Sequence, residues 1–164
     1  MSRNLLLVSL LFSSLFLKFC DRQPEYEILV NNLVAYLDDR NNEEIKKLFS
    51  KTAIDNTIEI DNQITRFVDF YEGKFSKTHE TSYAESGSYD YGKTKIDFSI
   101  LHYFYTDTCR YFFSIEWIQK DDSNKNNIGI SYIYAQKVDD FNFTPDYSII
   151  TSDYGIFIKD DKKN

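Results

Sequence analysis

The chain has 164 residues and a mass of 19.4 kDa, room for one domain with a sizeable core but not for two. Lys and Arg total 19 against 26 Asp and Glu, a net charge of −7 that repels phosphate backbones and argues against general nucleic-acid binding. Two cysteines exclude a disulfide-dense scaffold and a four-cysteine metal knuckle, two histidines exclude a multi-histidine metal centre, and a 17% aromatic content excludes a disordered acidic tail.

Met1-Ser2-Arg3-Asn4 leads into an uncharged run from Leu5 to Leu17, followed by Lys18, Phe19, Cys20 and Asp21. A short positive start and an apolar run of this length make a bacterial export signal. At 1.5 Å per residue the run spans roughly 20 Å, short of the ~30 Å bilayer core, so a spanning helix is the weaker reading. Leu17-Lys18-Phe19-Cys20 resembles a lipoprotein signal, in which a Leu stands three residues before a Cys that is diacylated and becomes the new N-terminus. Lys18 and Phe19 depart from that pattern, where small residues are usual. Lipidation of Cys20 is the favoured outcome, with an uncleaved anchor and an ordinary secreted protein as the alternatives. Two acyl chains at ~0.8 kcal/mol per buried CH₂ give stable attachment to a bilayer. Processing would remove Arg3 and Lys18 and no acid, taking the net charge from −7 to −9. Cys109 would then be the sole cysteine of the exported domain and is expected to be buried.

Beyond the export signal (1–19) and a lipid attachment and tether (20–24), the pattern reads as one α+β domain over 25–159 with a charged tail at 160–164. Tyr26, Leu29, Val30, Leu33, Tyr36 and Leu37 recur at helical spacing, with Pro24 at the start, and predict a helix over 24–38. Asn41 and Glu44 have capping-box spacing and open a short helix over 42–50. A third helix starts near Asn56 or Thr57, carries the stripe Ile60, Ile64, Phe67, Val68 and Tyr71, and stops at Gly73.

After Gly73 the period becomes two. Residues 80–90 are polar and fit an edge strand, with a turn at Tyr91-Gly92-Lys93. Ile96, Phe98 and Ile100 alternate with polar neighbours in a strand running to Tyr105, and Asp107-Thr108 marks a hairpin tip. Tyr111, Phe113, Ile115 and Trp117 alternate in the next strand. Ile128, Ile130, Tyr132 and Tyr134 alternate in another, after a polar loop over 120–127. Short links favour an antiparallel meander. A loop around Pro145 and a last strand over 154–159 complete the chain. Helices first and a curved antiparallel sheet second is an α+β arrangement with the helices covering one sheet face.

Leu48-Phe49-Ser50-Lys51-Thr52-Ala53, the Ile60-to-Ile64 helix ending in Phe70-Tyr71-Glu72-Gly73, Tyr111 to Trp117, and Asn127 to Ile133 together look like an uncharacterised family of bacterial envelope lipoproteins, a domain of unknown function. The resemblance covers roughly 25–138. It implies the cone-shaped nuclear-transport-factor-2-like fold, which hosts isomerases, dehydratases and cyclases as well as non-catalytic binding and dimerisation modules. Enzymes of that fold place an Asp–His or Tyr–Asp group inside the cone, and no catalytic motif transfers from the lipoprotein family itself. Fold alone does not carry function.

The candidates for chemistry are sparse. His102 could serve as a general base, oriented by Asp97 or Glu116 on neighbouring strands. Asp97 and His102 are an odd number of residues apart, which puts them on opposite faces of a regular strand, and His102 shares a face with Ile96, Phe98 and Ile100. A satisfied, semi-buried histidine is therefore the expectation, and a solvated face is the expectation for Glu116. His79 lies in a polar stretch. The oxygen-rich loop Asp121 to Asn127 lacks the calcium-loop spacing, glycine and terminal Glu, and Asp38-Asp39 is a solvated helix end. No phosphate-binding glycine loop, zinc-protease helix or nucleophile elbow occurs, so no cofactor or metal is expected. Cys109 beside Arg110 has no histidine near it in sequence. Asn142-Phe143-Thr144 matches a glycosylation acceptor only by pattern. Tyr103, Tyr105, Tyr111, Tyr132 and Tyr134 fall on successive strands and suit a pocket mouth or an interface, although an AT-rich genome would produce the same surplus.

The leading expectation is an exported lipoprotein held on the outer side of a bacterial membrane, its domain binding a small molecule, peptide or glycan without chemistry. The open sheet face offers a homodimer contact. A small cone-fold enzyme of isomerase or hydrolase type, using His102, Asp97 and tyrosines, is the second reading. A structural or immunity-type envelope protein is the third.

Overall fold

The computed structural model describes residues 23–140, 144–145 and 147–159. Cys20 with the export segment, Asn142-Phe143, and the tail 160–164 lie outside the described residues. No helix among the described residues is long and apolar enough to cross a membrane.

Four helices come first among the described residues: α1 (Glu25–Asp38), α2 (Asn42–Leu48), α3 (Lys51–Asn56) and α4 (Ile60–Phe70). Five strands follow: β1 (Phe75–Asp90), β2 (Lys93–Thr106), β3 (Arg110–Asp121), β4 (Gly129–Lys137) and β5 (Gly155–Lys159). They form one curved, unclosed sheet in sequence order, so the class is α+β. Helix α1 buries Leu29, Val30, Leu33, Val34 and Leu37, one stripe at helical spacing. Helix α2 is capped by Asn41, whose side chain accepts from Glu44 N–H at 3.2 Å, with acids in its first turn and Lys46 and Lys47 in its last. The predicted third helix is α4, and a short helix that the pattern does not announce, α3, precedes it. Ser50, a buried cap that accepts from Ala53 N–H at 3.0 Å, starts the short α3, and Glu59 at φ +56° marks the break before α4.

Strands β1 to β4 form the expected antiparallel meander, but β5 runs parallel to β4 and makes the sheet mixed. A tight hairpin can return a chain only antiparallel. The long connection after β4 lets the chain travel back before it re-enters the sheet, as a parallel neighbour requires. Gln63 of α4 secures β5 by accepting from Ile156 N–H at 2.8 Å. Register shifts interrupt the β1–β2, β2–β3 and β3–β4 ladders, and such bulges bend a sheet.

The core lies between the helices and one sheet face. Phe98, Ile100 and Phe104 of β2, Tyr111, Phe113 and Ile115 of β3, Ile133 and Ala135 of β4, and Ile156 of β5 meet the stripes of α1 and α4 there. Aromatic rings fill that space: the Phe104 and Phe113 centroids are 4.9 Å apart and those of Phe67 and Phe113 5.3 Å apart. Asp38 links the end of α1 to the start of β1 by accepting from the Tyr71 hydroxyl at 2.7 Å and from Phe75 N–H at 3.0 Å. Gly129 stands at φ +130° because β4 begins hard against the α2–α3 link; a Cβ there would lie 2.6 Å from Ser50 N.

Candidate functional site

The opposite sheet face carries the residues of the other parity. Strand register aligns them in rows. One row runs Ala84, Ser99, Glu116, Tyr132 and Gly155 across the five strands; the next runs Ser82, Leu101, Ser114, Tyr134 and Phe157. Further along, the same face bears Tyr103, Phe112 and Gln136. Small side chains at Ala84, Ser99, Ser82 and Ser114 leave space that the larger ones fill elsewhere. The connection from β4 to β5 crosses this face. Its Tyr147 packs on Tyr134 with centroids 5.3 Å apart, and Tyr147 and Ile150 wall a groove of about 530 Å³. Leu101, Ser114, Glu116 and Tyr132 are among the residues that line it.

Glu116 is the charged group of the groove. It is half-buried and accepts hydrogen bonds from the Ser99 hydroxyl across β2 and from the Tyr132 hydroxyl across β4. Both partners stand directly opposite it in the ladders, and a register shift falls immediately after it, at Glu116/Trp117. Burial pushes the Glu116 carboxyl above the usual carboxylate range; the nearby Asp97 charge adds to this, while the two hydroxyls oppose it. Tyr132 is pushed up to about 12, by burial first and then by the Glu116 charge. No ion pair to Glu116 occurs among the described residues.

The other candidate residues are dispersed. His102 faces the core, 2% exposed, its ring stacked 4.9 Å from Phe104 and its Nδ1 2.7 Å from the Thr81 hydroxyl. Burial holds its pKa down to about 4. Asp97 points to the groove side, bonded to Ser86 at 2.6 Å and paired with Lys95 at 2.6 Å. Burial pushes its carboxyl up, but those contacts outweigh it and hold it below the usual range. The sheet therefore separates His102 from both carboxylates. His79 is exposed, its ring 6.1 Å from that of Tyr105.

Of the five tyrosines, Tyr132 lines the groove. Tyr103 stacks on Phe112 at 4.7 Å, and Tyr105 carries Lys77 over its ring at 4.8 Å. Tyr111 is in the core, accepting from Glu72 N–H and donating to the Phe70 carbonyl. Tyr134 is buried and donates to Gln136 at 2.6 Å. Cys109 is half-buried at the edge of the core, its thiol 3.5 Å from Glu72 Oε2. The Asp121 carboxylate takes Ser123 N–H and Asn124 N–H at 2.9 Å and the Asn127 amide at 2.8 Å, holding the loop. Among the described residues no cluster of three or more His, Cys, Asp or Glu could hold a metal ion.

Ser99, Ser114, Leu101, Tyr147 and Ile150 are groove residues that sequence reasoning missed. Two serines on adjacent strands carry no signal until register sets them beside Glu116 and under Tyr147.

A search of curated proteins finds no match to the chain. The family model described as Domain of unknown function (DUF5104) matches residues 32–140, from within α1 to just beyond β4 and including the four strands that line the groove, and the chain belongs to that family.

Proposed function

We propose that this protein is an exported lipoprotein, held by an acylated Cys20 on the outer side of a bacterial membrane, whose domain binds a small molecule in the outer-face groove without converting it. The observation that carries the binding reading is the groove itself: about 530 Å³, of ligand size, with a half-buried carboxylate on an apolar and hydroxyl-bearing floor. Binding is favoured over catalysis because, among the described residues, the groove holds one carboxylate bonded to hydroxyls, and neither histidine lines it. The aromatic-filled space beneath the helices surrounds His102 with Phe104 and Thr81. The order of helices before a curved, unclosed sheet supports assigning the cone-shaped nuclear-transport-factor-2-like fold. The anchoring rests on Leu17 to Cys20 in the sequence.

A fragment screen by thermal shift, on the wild type and on Leu101→Trp, tests the binding reading. Fragments should stabilise the wild type and not the variant with the filled groove. Hits that persist unchanged in the variant would move the site elsewhere. Intact mass and membrane fractionation test the anchor: the native chain should begin at an acylated Cys20, and Cys20→Ser should leave the membrane fraction. An unprocessed mass would overturn that part. Association through the sheet, whose edge strand β1 is exposed along most of its length, predicts a dimer in sedimentation.

A further inference from the structure

We propose that the groove selects a small organic cation: an amine whose ammonium group sits on Glu116 and whose apolar body lies on Leu101 between Tyr132 and Tyr147. This deepens the binding reading above and rests on it. The chemistry follows from what Glu116 still offers. An ionised carboxylate has about four lone-pair sites and no proton to donate. Burial and the Asp97 charge push its carboxyl up, while the Ser99 and Tyr132 hydroxyls, which both donate to it, oppose that push and occupy two of those sites, leaving the others to a ligand.

No protein cation fills those sites among the described residues. Lys95, on the same side of β2, is committed to Asp97 at 2.6 Å. Asp97 in turn adds negative potential beside Glu116. An anionic ligand would meet the Glu116 carboxylate, with the Asp97 charge nearby, and would be repelled. A neutral ligand could supply a hydrogen bond but would leave the charge uncompensated in a half-dry site. A cation answers both the charge and the acceptor sites, in the stronger, charge-assisted form. Tyr132 and Tyr147 add aromatic rings at the walls, which attract a cation and pack its apolar part. A chain of net charge −7 also raises the local concentration of cations.

The test compares three probes of similar shape on the full domain: phenethylamine as the cation, 2-phenylethanol as the neutral form and 3-phenylpropionate as the anion. Binding is followed by backbone amide shifts, on the wild type and on the near-isosteric Glu116→Gln. The amine should bind the wild type at least about tenfold more tightly than the alcohol, with the anion weakest. Glu116→Gln should lose that preference while its affinity for the alcohol stays within about twofold, which also shows that the variant is folded. Equal binding of amine and alcohol to the wild type, with shifts in the groove, would overturn the cation preference and leave the groove reading standing. No groove shifts with any of the three probes would overturn both.

Discussion

Replacing His102 by glutamine should remove a specific acid sensitivity of the fold. His102 is buried against Phe104 and its pKa is held down to about 4, while an unfolded chain titrates it near 6.5. Below pH 6.5 the unfolded state takes up a proton that the folded state refuses. Stability therefore falls as pH falls, with the full effect, about 3 kcal/mol, reached below pH 4. Between pH 7 and pH 5 the same linkage removes about 2 kcal/mol, or roughly 6 °C of melting temperature for a domain of this size. Urea melts of the wild type and His102→Gln at both pH values isolate the effect, because every carboxylate contribution is common to the two proteins. The gap between their unfolding free energies should change by about 2 kcal/mol in favour of the variant on going to pH 5. Parallel pH dependences would mean that His102 protonates freely in the folded state. Its burial would then be wrong, and the enzyme reading that uses it as a base would revive.

Gly129→Ala should cost about 3 kcal/mol or more in a denaturant melt, because a Cβ at φ +130° meets backbone atoms of Phe49 and Ser50 at 2.9 and 2.6 Å; a loss under about 1 kcal/mol would refute the close approach of β4 to the α2–α3 link. Tyr132→Phe removes one of the two hydroxyl donors to Glu116, so the Glu116 carboxyl should titrate at still higher pH in a carbon-detected NMR titration; an unchanged or lower value would remove Tyr132 from the site.

The helices were legible where burial imposes a period. Leu29, Val30, Leu33 and Leu37 repeat on one side of α1 because that side alone meets the sheet. Helix α3 was not legible: Lys-Thr-Ala-Ile-Asp-Asn buries Ala53 alone, and its one strong signal is the Ser50 cap. Alternation located β2, β3 and β4, since each has a core face. β1 begins earlier than its sequence indicates, because it is exposed on most of its length and has no face to pattern. The parallel direction of β5 leaves no local mark; it follows from where the connection goes. The site divides along the same line. Glu116 stood out as a carboxylate on a strand, and alternation put it on the face away from Trp117. That this face is a groove depends on the serines three strands contribute and on Tyr147 returning overhead, which are matters of register and long-range packing.

The outer-face groove, not the core around His102, is the proposed place where this domain meets its ligand. Amide-shift mapping of a fragment collection on the isotope-labelled domain locates the contact. Hits should move the amides of Ser99, Leu101, Ser114, Glu116 and Tyr132 as a group and leave Phe104 and Phe113 still. Shifts that cluster on the helix side, around His102 and Phe104, would place the ligand in the core instead.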